Sequence, residues 1–248
     1  MTGATAAGGA GARSQGRLSK LITGLFMKHA RVAAIEDVAP RFRLVTLDGP
    51  ALRNVTWQPG QKLQIAMGSP FVGRTYTPLD WDPGEGRTRL LGYVHGDGPG
   101  SEWILGLAVG DQCEVFGPRS SLDADRVAPP RALFGDETSI GLAHALVRAE
   151  QVSPTRCCFE VGDADISRQV LARLDLDAAT LIVRRDNAGH LPALENALKA
   201  FVTAGASFVL TGQSGTVQGL RHKLRDHGVP TSRALAKAYW APGKRGLD

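Results

Sequence analysis

The first half of the chain alternates apolar and polar residues with a period of two, in short runs separated by turns rich in Gly and Pro. Alternation of this kind is typical of half-buried β-strands. The runs span residues 41–47, 62–67, 87–94 and 113–116, and a helical pattern over 101–107 interrupts them. Short strands joined by such turns predict a small antiparallel β-barrel.

The pattern changes after Ala128-Pro129-Pro130, which we interpret as a linker. Short apolar runs then alternate with helical patterns, which predicts a parallel sheet covered by helices. The expected strands are 131–134, 156–161, 180–183, 207–210 and a weak 232–236. The expected helices lie near 143–147, 167–174, 191–202 and 217–226.

These patterns predict a two-domain protein, in which an antiparallel β-barrel is followed by an α/β domain with a parallel sheet. We expect the barrel over residues 29–128 and the α/β domain over 131–248. Residues 1–28 precede both domains. The small residues of 1–15 predict a disordered tail, and the pattern of 18–27 predicts a short helix.

The composition predicts a globular protein of a reducing compartment. Of the 248 residues, 43% are hydrophobic and 21% are charged, which is normal for a soluble domain. The chain has 3 cysteines, which cannot all pair, so we expect core thiols and a cytoplasmic location. The longest apolar stretch near the start, 21–27, is far shorter than a membrane span, so no stable membrane insertion is expected.

The formal net charge of +5 fits an anionic ligand such as a dinucleotide. A nucleic-acid partner is not expected, because the chain has no dense basic run interleaved with aromatic residues. A metal site is not expected either, because the 6 histidines are scattered without the spacing of zinc ligands. The oligomeric state is not indicated by any feature of the sequence.

The segment Arg74-Thr75-Tyr76-Thr77 offers a cation, an aromatic ring and a hydroxyl within a short stretch. The guanidinium of Arg74 suits phosphate, and Tyr76 can lie against a flat ring. Thr77 can donate a hydrogen bond to a ring nitrogen. In a strand, Thr77 faces away from Arg74 and Tyr76, so one ligand meets all of them only if the strand ends there, as Pro78 favours. The alternative is a strand end with a surface arginine and a packed tyrosine.

A glycine-rich loop follows at 95–101 and leads into a helix expected to begin near Glu102. With Gly98, Gly100 and Ser101 before it, the start of this helix is suited to bind phosphate through free backbone N–H groups. The alternative for Ser101 is that it only caps the helix. His95 stands at a strand end and faces the same ligand, where it either binds the ligand or only packs. No residue is assigned to proton transfer.

Two loops of the second half, 135–139 and 211–215, each follow a strand and precede a helix. Crevices at the carboxyl ends of parallel strands are where dinucleotides bind. Neither loop has the G-x-G-x-x-G pattern. Arg184, at the end of the third strand, is placed to bind a 2′-phosphate, and a solvated basic pair with Arg185 is the alternative. The candidate residues of the loops are Asp136, Thr138, Gly212 and Gln213.

Segments that occur in a fixed order carry a family resemblance over roughly residues 31–246. They are Arg74-Thr75-Tyr76-Thr77, the loop 95–103, Gly117-Pro118-Arg119, Gly135-Asp136-Glu137-Thr138 and the segment 237–243. In this order they resemble the siderophore-interacting FAD-binding proteins, a branch of the ferredoxin-reductase superfamily. That family comprises NAD(P)H-dependent ferric-siderophore reductases.

The resemblance implies FAD in the barrel, held by Arg74, Tyr76, Thr77 and the loop 95–101. It implies that NADPH or NADH docks on the second domain near 136–138 and 211–213, and that the 237–240 segment closes over the cleft. Ferric siderophores are commonly anionic and would be reduced, with iron released as Fe(II). The candidates for a basic entrance are Lys62, Lys237, Lys244 and Arg245, for which plain surface cations are the alternative.

The chain departs from the family pattern in the nucleotide half. Ser139-Ile140 stands where the family usually has Ala-Pro, and Gln213 replaces the usual Glu after Gly212. FAD binding is therefore better supported than the choice of electron donor. Two rival functions stay open: a flavin oxidoreductase that donates electrons to another acceptor or a protein partner, and a non-catalytic FAD-binding module.

Overall fold

The computed structural model describes residues 27–69, 72–150 and 155–244, with no side-chain description for 68, 69 and 72. The predicted tail and short helix lie almost wholly outside these ranges, as does Arg245. Lys28, which was assigned to the tail, already belongs to the first strand. None of the helices in the described ranges has the length and apolar character needed to span a bilayer.

The N-terminal half forms an antiparallel sheet with one helix, α1 (Pro99–Gly106), before its last strand. Its strands are β1 (Lys28–Ala39), β2 (Phe42–Asp48), β3 (Lys62–Ser69), β4 (Val72–Tyr76), β5 (Pro78–Asp82), β6 (Arg87–Tyr93) and β7 (Gln112–Arg119). The sheet is 7-stranded with the order β4-β3-β7-β1-β2-β6-β5, and β4 also contacts β6, so that the sheet curls into a barrel-like shape. The predicted antiparallel β-barrel is confirmed.

The second half forms a 5-stranded parallel sheet with the order β10-β9-β8-β11-β12. Its strands are β8 (Arg131–Gly135), β9 (Arg156–Val161), β10 (Thr180–Val183), β11 (Ser207–Gln213) and β12 (Ala234–Trp240). The helices are α2 (Ile140–Ala149), α3 (Ala164–Arg173), α4 (Leu191–Thr203) and α5 (Ser214–Asp226). Short 3-10 helices occur at Pro50–Leu52, Ala124–Arg126, Glu137–Ser139, Asp186–Ala188 and Thr231–Arg233. The predicted α/β fold class is confirmed.

A shared apolar core joins the two sheets. Phe42 and Leu79 of the first sheet pack in one cluster with Leu133, Ile140 and Phe159 of the second half, and all of them are at most 2% exposed. Burial on this scale is the main favourable term in folding. The ends of β8 and β12 are thereby held against the first sheet. The exact division into domains at 128–131 stays a prediction.

The last strand differs from the prediction. It was expected at 232–236 but runs over Ala234–Trp240, because its backbone pairs in parallel with β11 as far as Gln213 opposite Trp240. Most of its side chains are half-buried, so apolar and polar residues do not alternate along it, and the sequence pattern did not indicate its length. The extension carries Lys237, Tyr239 and Trp240 to the edge of the sheet that faces the first half.

Candidate functional site

A cleft of about 400 Å³ lies where the first sheet meets the carboxyl ends of β8 and β12. Its walls come from the end of β4, the loop before α1, the start of α2 and the end of β12. The residues that line it are Lys62, Gly73 to Thr77, Leu91, Tyr93, His95 to Ser101, Ser121, Thr138, Gly141 and Lys237 to Lys244. The cleft therefore collects most of the residues that the sequence singled out.

Arg74, Tyr76 and Thr77 all face this cleft because the strand breaks where Pro78 predicts. β4 ends at Tyr76, Thr77 stands outside regular structure, and β5 begins at Pro78. A Cβ atom on Gly100 would lie 3.3 Å from Arg74 Cγ and 3.6 Å from the Tyr76 hydroxyl oxygen. The first turn of α1 thus packs directly against the arginine and the tyrosine, which brings the two predicted motifs into one site.

The side chain of Tyr76 is more enclosed than the sequence suggests. Its ring contacts Trp103 of α1, with the centroids 5.8 Å apart. Burial raises the pKa of its phenol, so the hydroxyl stays protonated and able to donate at neutral pH. Its contact with a flat ligand ring stays a prediction.

Ser101 has a role that neither sequence interpretation foresaw. The helix begins at Pro99 with Gly98 as its N-cap residue, before the expected start at Glu102. The Ser101 hydroxyl accepts from His95 N–H at 3.2 Å and donates to the His95 carbonyl at 3.3 Å, so it closes the loop and does not cap the helix. The backbone N–H groups of Gly100 and Ser101, in the first turn, are the groups suited to an anion.

His95 lies in a row of rings that crosses the cleft. Its centroid is 5.9 Å from that of Tyr93 and 5.7 Å from that of Trp240. Burial, with a smaller contribution from Arg41, lowers the pKa of His95 below its ordinary range. The imidazole is therefore neutral at neutral pH and offers one donor and one acceptor to a ligand.

The carboxylate of Asp136 is fully occupied by donors inside the protein. One oxygen accepts from the backbone N–H of Thr138 at 2.9 Å and from its hydroxyl. The other accepts from Gln213 N–H at 2.9 Å and from the Trp240 indole N–H at 2.7 Å. Asp136 is 0% exposed, and burial raises its pKa, although the donors from Thr138 and Trp240 oppose that shift. The predicted contact between this carboxylate and a nucleotide is not supported by the geometry.

Gly212 and Gln213 shape the same loop. Gly212 has φ +101°, and a Cβ atom there would lie 2.6 Å from an Asp136 carboxylate oxygen, so only glycine fits. The Gln213 side-chain oxygen accepts from Thr216 N–H at 3.0 Å and caps α5. Both residues therefore build the loop, and their contact with a nucleotide stays a prediction.

Arg184 is engaged by a partner that the sequence did not reveal. It donates to the Glu137 carboxylate through both terminal nitrogens, one of them at 2.9 Å, and to the Glu160 carbonyl at 3.0 Å. Glu137 is 3% exposed and also accepts from Gly162 N–H at 2.7 Å and Tyr93 hydroxyl at 3.4 Å. Arg184 does not line the cleft, and its binding of a 2′-phosphate stays a prediction.

The candidate entrance residues Lys237 and Lys244, near the end of the chain, and Lys62, far from them in sequence, line the same cleft. Lys237 donates to the Ser121 hydroxyl at 2.8 Å. Arg245 lies outside the described residues. Within the described ranges, no group of three or more His, Cys, Asp or Glu side chains is placed to hold a metal ion.

The chemistry of the cleft suits a phosphorylated cofactor with a flat ring. A guanidinium and free N–H groups meet at Arg74 and Gly100, where a diphosphate can be bound. Aromatic rings and the Thr77 hydroxyl, itself 3.4 Å from the Tyr239 hydroxyl, lie farther along the same walls. The residues present therefore fit FAD.

Solved structures share this fold. A siderophore utilization protein from T. fusca is 20% identical with a TM-score of 0.71, covering 90% of this chain and 95% of its own. The siderophore-interacting protein SipS from Aeromonas hydrophila is 21% identical with a TM-score of 0.67, covering 88% and 92%. Phthalate dioxygenase reductase is 18% identical with a TM-score of 0.67, covering 88% and 70%. A sequence search of curated proteins found no significant match.

Two family models match consecutive parts of the sequence. The siderophore-interacting FAD-binding domain matches residues 64–122, and the siderophore-interacting protein model matches residues 128–243. The first covers the strand end at Arg74 and the loop before α1, and the second covers Asp136 and the end of β12. The match to the FAD-binding domain model supports the predicted FAD, whereas NADPH or NADH as the electron donor stays a prediction. The chain belongs to the siderophore-interacting FAD-binding family, with a ferredoxin reductase-like fold.

Proposed function

We propose that this flavin oxidoreductase takes electrons from NADH or NADPH and reduces ferric siderophores, so that iron is released as Fe(II). The observation that carries the proposal is the single cleft in which the FAD-binding motifs meet Lys62, Lys237 and Lys244. An anion-binding wall and a cationic rim belong to the same space. This arrangement suits a reductase of an anionic ferric chelate.

Bound FAD would supply the redox chemistry, since it accepts electrons in pairs from a reduced nicotinamide and delivers them singly to Fe(III). The protein binds and orients the reactants. Arg74 and the first turn of α1 would hold the diphosphate, because a guanidinium fork and free N–H groups both favour phosphate oxygens. Gly100 allows these groups to lie together.

The cationic rim would attract the chelate. Lys62 is brought to the cleft by β3, and Lys237 and Lys244 are brought to it by β12 and the segment after it. Their common charge raises the local concentration of an anionic substrate and accelerates its association. Hard oxygen donors bind Fe(II) less tightly than Fe(III), so reduction favours release. We place the reaction in the cytoplasm, as the free thiols of Cys113, Cys157 and Cys158 favour.

Anaerobic mixing tests the enzyme. The purified protein, loaded with FAD, is expected to show oxidised-flavin bands that bleach on addition of NADH or NADPH and return on addition of a ferric siderophore. Failure of both nucleotides to bleach the flavin would show a non-catalytic module. Lys237→Met is expected to raise KM for the ferric chelate several-fold, whereas the matched variant Lys199→Met, exposed on α4, leaves it unchanged.

Electron transfer to a protein partner is the second candidate. Phthalate dioxygenase reductase, which shares the fold, is named for transfer from pyridine nucleotides to a [2Fe–2S] centre. Here the cysteines are separately buried in β7 and β9, so an iron–sulfur acceptor would have to dock from outside. Steady-state oxidation of NADH or NADPH, compared between ferric siderophores and a ferredoxin, separates the two functions.

A further inference from the structure

We infer that Asp136 is a positioning residue that holds Trp240 across the cleft, and that it serves the ferric substrate and not the nucleotide. The kinetic part of this inference rests on the proposed function, whereas the structural part does not. Asp136 was expected at the nucleotide because it follows β8 at the carboxyl edge of the sheet. Its carboxylate instead contacts Gln213 and Trp240 inside the protein.

The carboxylate forms a rigid bridge between the two last strands. Its Oδ2 atom accepts both from Gln213 N–H, at the end of β11, and from the Trp240 indole, at the end of β12. Charge-assisted hydrogen bonds of this kind are about twice as strong as neutral ones. Gly212 supports the bridge, because a side chain there would overlap the carboxylate.

Trp240 is the point at which the chain leaves the sheet and enters the cleft. The residues after it, Ala241 to Lys244, line the cleft, and the residue before it, Tyr239, lies within hydrogen-bond distance of Thr77 at 3.4 Å. The Trp240 ring contacts His95 of the opposite wall, with the centroids 5.7 Å apart. The contact with Asp136 therefore fixes the direction of the segment that carries Lys244.

The two roles of Asp136 predict opposite kinetic effects. If the carboxylate orients Trp240 and the cationic segment after it, its loss weakens binding of the ferric chelate. If it binds the nucleotide, its loss weakens binding of NADH or NADPH. Asp136→Asn distinguishes them, since in either orientation its neutral amide is a poorer acceptor than the carboxylate for the Gln213 and Trp240 donors.

The first experiment observes the contact itself in the full-length protein without substrate. Trp240 gives one indole ¹H–¹⁵N resonance, identified by its loss in Trp240→Phe. In Asp136→Asn this resonance is expected to move upfield and its proton to exchange about tenfold faster or more. The Trp81 indole donates to the Leu52 carbonyl at 3.1 Å and is the internal control, which must not move. An unchanged Trp240 resonance overturns the inference.

The second experiment measures KM for Fe(III)–EDTA, an anionic chelate, and for NADH with the FAD-loaded protein. Asp136→Asn and Trp240→Phe are each expected to raise KM for the chelate about tenfold, with KM for NADH changed by less than about twofold. In the double variant, KM for the chelate should not exceed that of the more impaired single variant, because both substitutions remove the same contact. Trp81→Phe, the matched control, leaves both constants unchanged.

The reverse pattern, a raised KM for NADH with an unchanged KM for the chelate, overturns the inference, as do additive effects in the double variant. If Asp136→Asn does not fold, Trp240→Phe tests the inference by the same comparison of KM for the chelate with KM for NADH. If the wild-type protein oxidises NADH with other acceptors but reduces no ferric chelate, the proposed function fails. The resonance of Trp240 then still decides whether Asp136 holds the indole.

Discussion

The Arg184 guanidinium and the Glu137 carboxylate form a two-point ion pair at the edge of the parallel sheet. The pair joins the loops at the carboxyl ends of β8 and β10, the two strands that flank β9, since Glu137 follows β8 and Arg184 follows β10. Glu137 is 3% exposed and this guanidinium is its cationic partner, whereas the neighbouring Arg185 is exposed. Of these adjacent arginines, Arg184 therefore stabilises a buried carboxylate and Arg185 does not.

Arg184→Ala is expected to lower the free energy of unfolding by roughly 2–4 kcal/mol, because it leaves the buried charge of Glu137 without its partner. Arg185→Ala, the matched control, should change it by no more than about 0.5 kcal/mol. Urea denaturation followed by circular dichroism measures both. Equal effects of the two substitutions would contradict the assignment.

Arg74→Ala is expected to weaken FAD binding by roughly 10- to 100-fold, because a charge-assisted contact with phosphate is lost. Arg74→Lys keeps the charge without the planar fork, so its affinity for FAD should lie between that of Arg74→Ala and that of the wild type. Titration of the apoprotein with FAD, followed by flavin fluorescence, gives the dissociation constants. Arg168→Ala, an exposed position on α3, is the control. Wild-type affinity in Arg74→Ala would exclude the diphosphate role.

Gly212→Ala is expected to destabilise the protein by roughly 1–3 kcal/mol from the backbone conformation alone, and by more from overlap with Asp136. The matched control is Gly219→Ala within α5, where a Cβ atom meets nothing within 4 Å. That change should stabilise by about 0.4–1 kcal/mol, because alanine favours helix. Thermal unfolding of both variants tests the opposite signs, and a stable Gly212→Ala protein would refute the close approach.

His144 predicts a loss of stability in acid. It is buried on α2, and its Nδ1–H donates to the Leu174 carbonyl at 2.9 Å, while Nε2 has no hydrogen-bond partner among the described residues. Burial lowers the pKa of His144 from 6.5. The unfolded chain therefore binds a proton more readily than the folded one. Stability is fully present above about pH 6.5 and is lost as the pH falls below it, until the folded imidazole is also protonated.

His144→Gln is expected to flatten the stability profile between about pH 6.5 and pH 5, because it removes the group that gains a proton on unfolding. Urea denaturation at several pH values measures the slope. Part of the slope should persist, since burial lowers the pKa of His95 in the same direction. The control His227→Gln, at the exposed end of α5, should keep the wild-type slope. An unchanged slope in His144→Gln would contradict the prediction.

The sequence predicted most regular elements because their patterns are local. The helix α4 was expected at 191–202 and runs over Leu191–Thr203, and β9 matches the expected 156–161. The long first strand, Lys28–Ala39, was not identified, because the register shifts in its pairing with β2 break the alternation of its side chains. The end of β12 was missed because backbone pairing with β11, and not a side-chain pattern, sets its length.

The site was predictable where neighbours in sequence are also neighbours in the cleft. Arg74, Tyr76 and Thr77 belong to one strand end, and Pro78 marks the break. The partners of Asp136 and Arg184 are far away in the chain, so no spacing rule reveals them. The only local signal was Gly212, whose positive φ allows the approach of a carboxylate that sequence alone cannot name.

The order of the cleft walls along the chain has a consequence for synthesis. Residues 62–101 supply one side of the cleft, and residues 237–244 supply the other. Because a chain is made from its N-terminus and its domains begin to fold as they emerge, the first sheet can form long before β12 exists. A nascent chain halted at residue 230 would carry the wall with Arg74 but neither Trp240 nor Lys244. Translation therefore completes the wall with Arg74 before the segment that carries Trp240 and Lys244 exists.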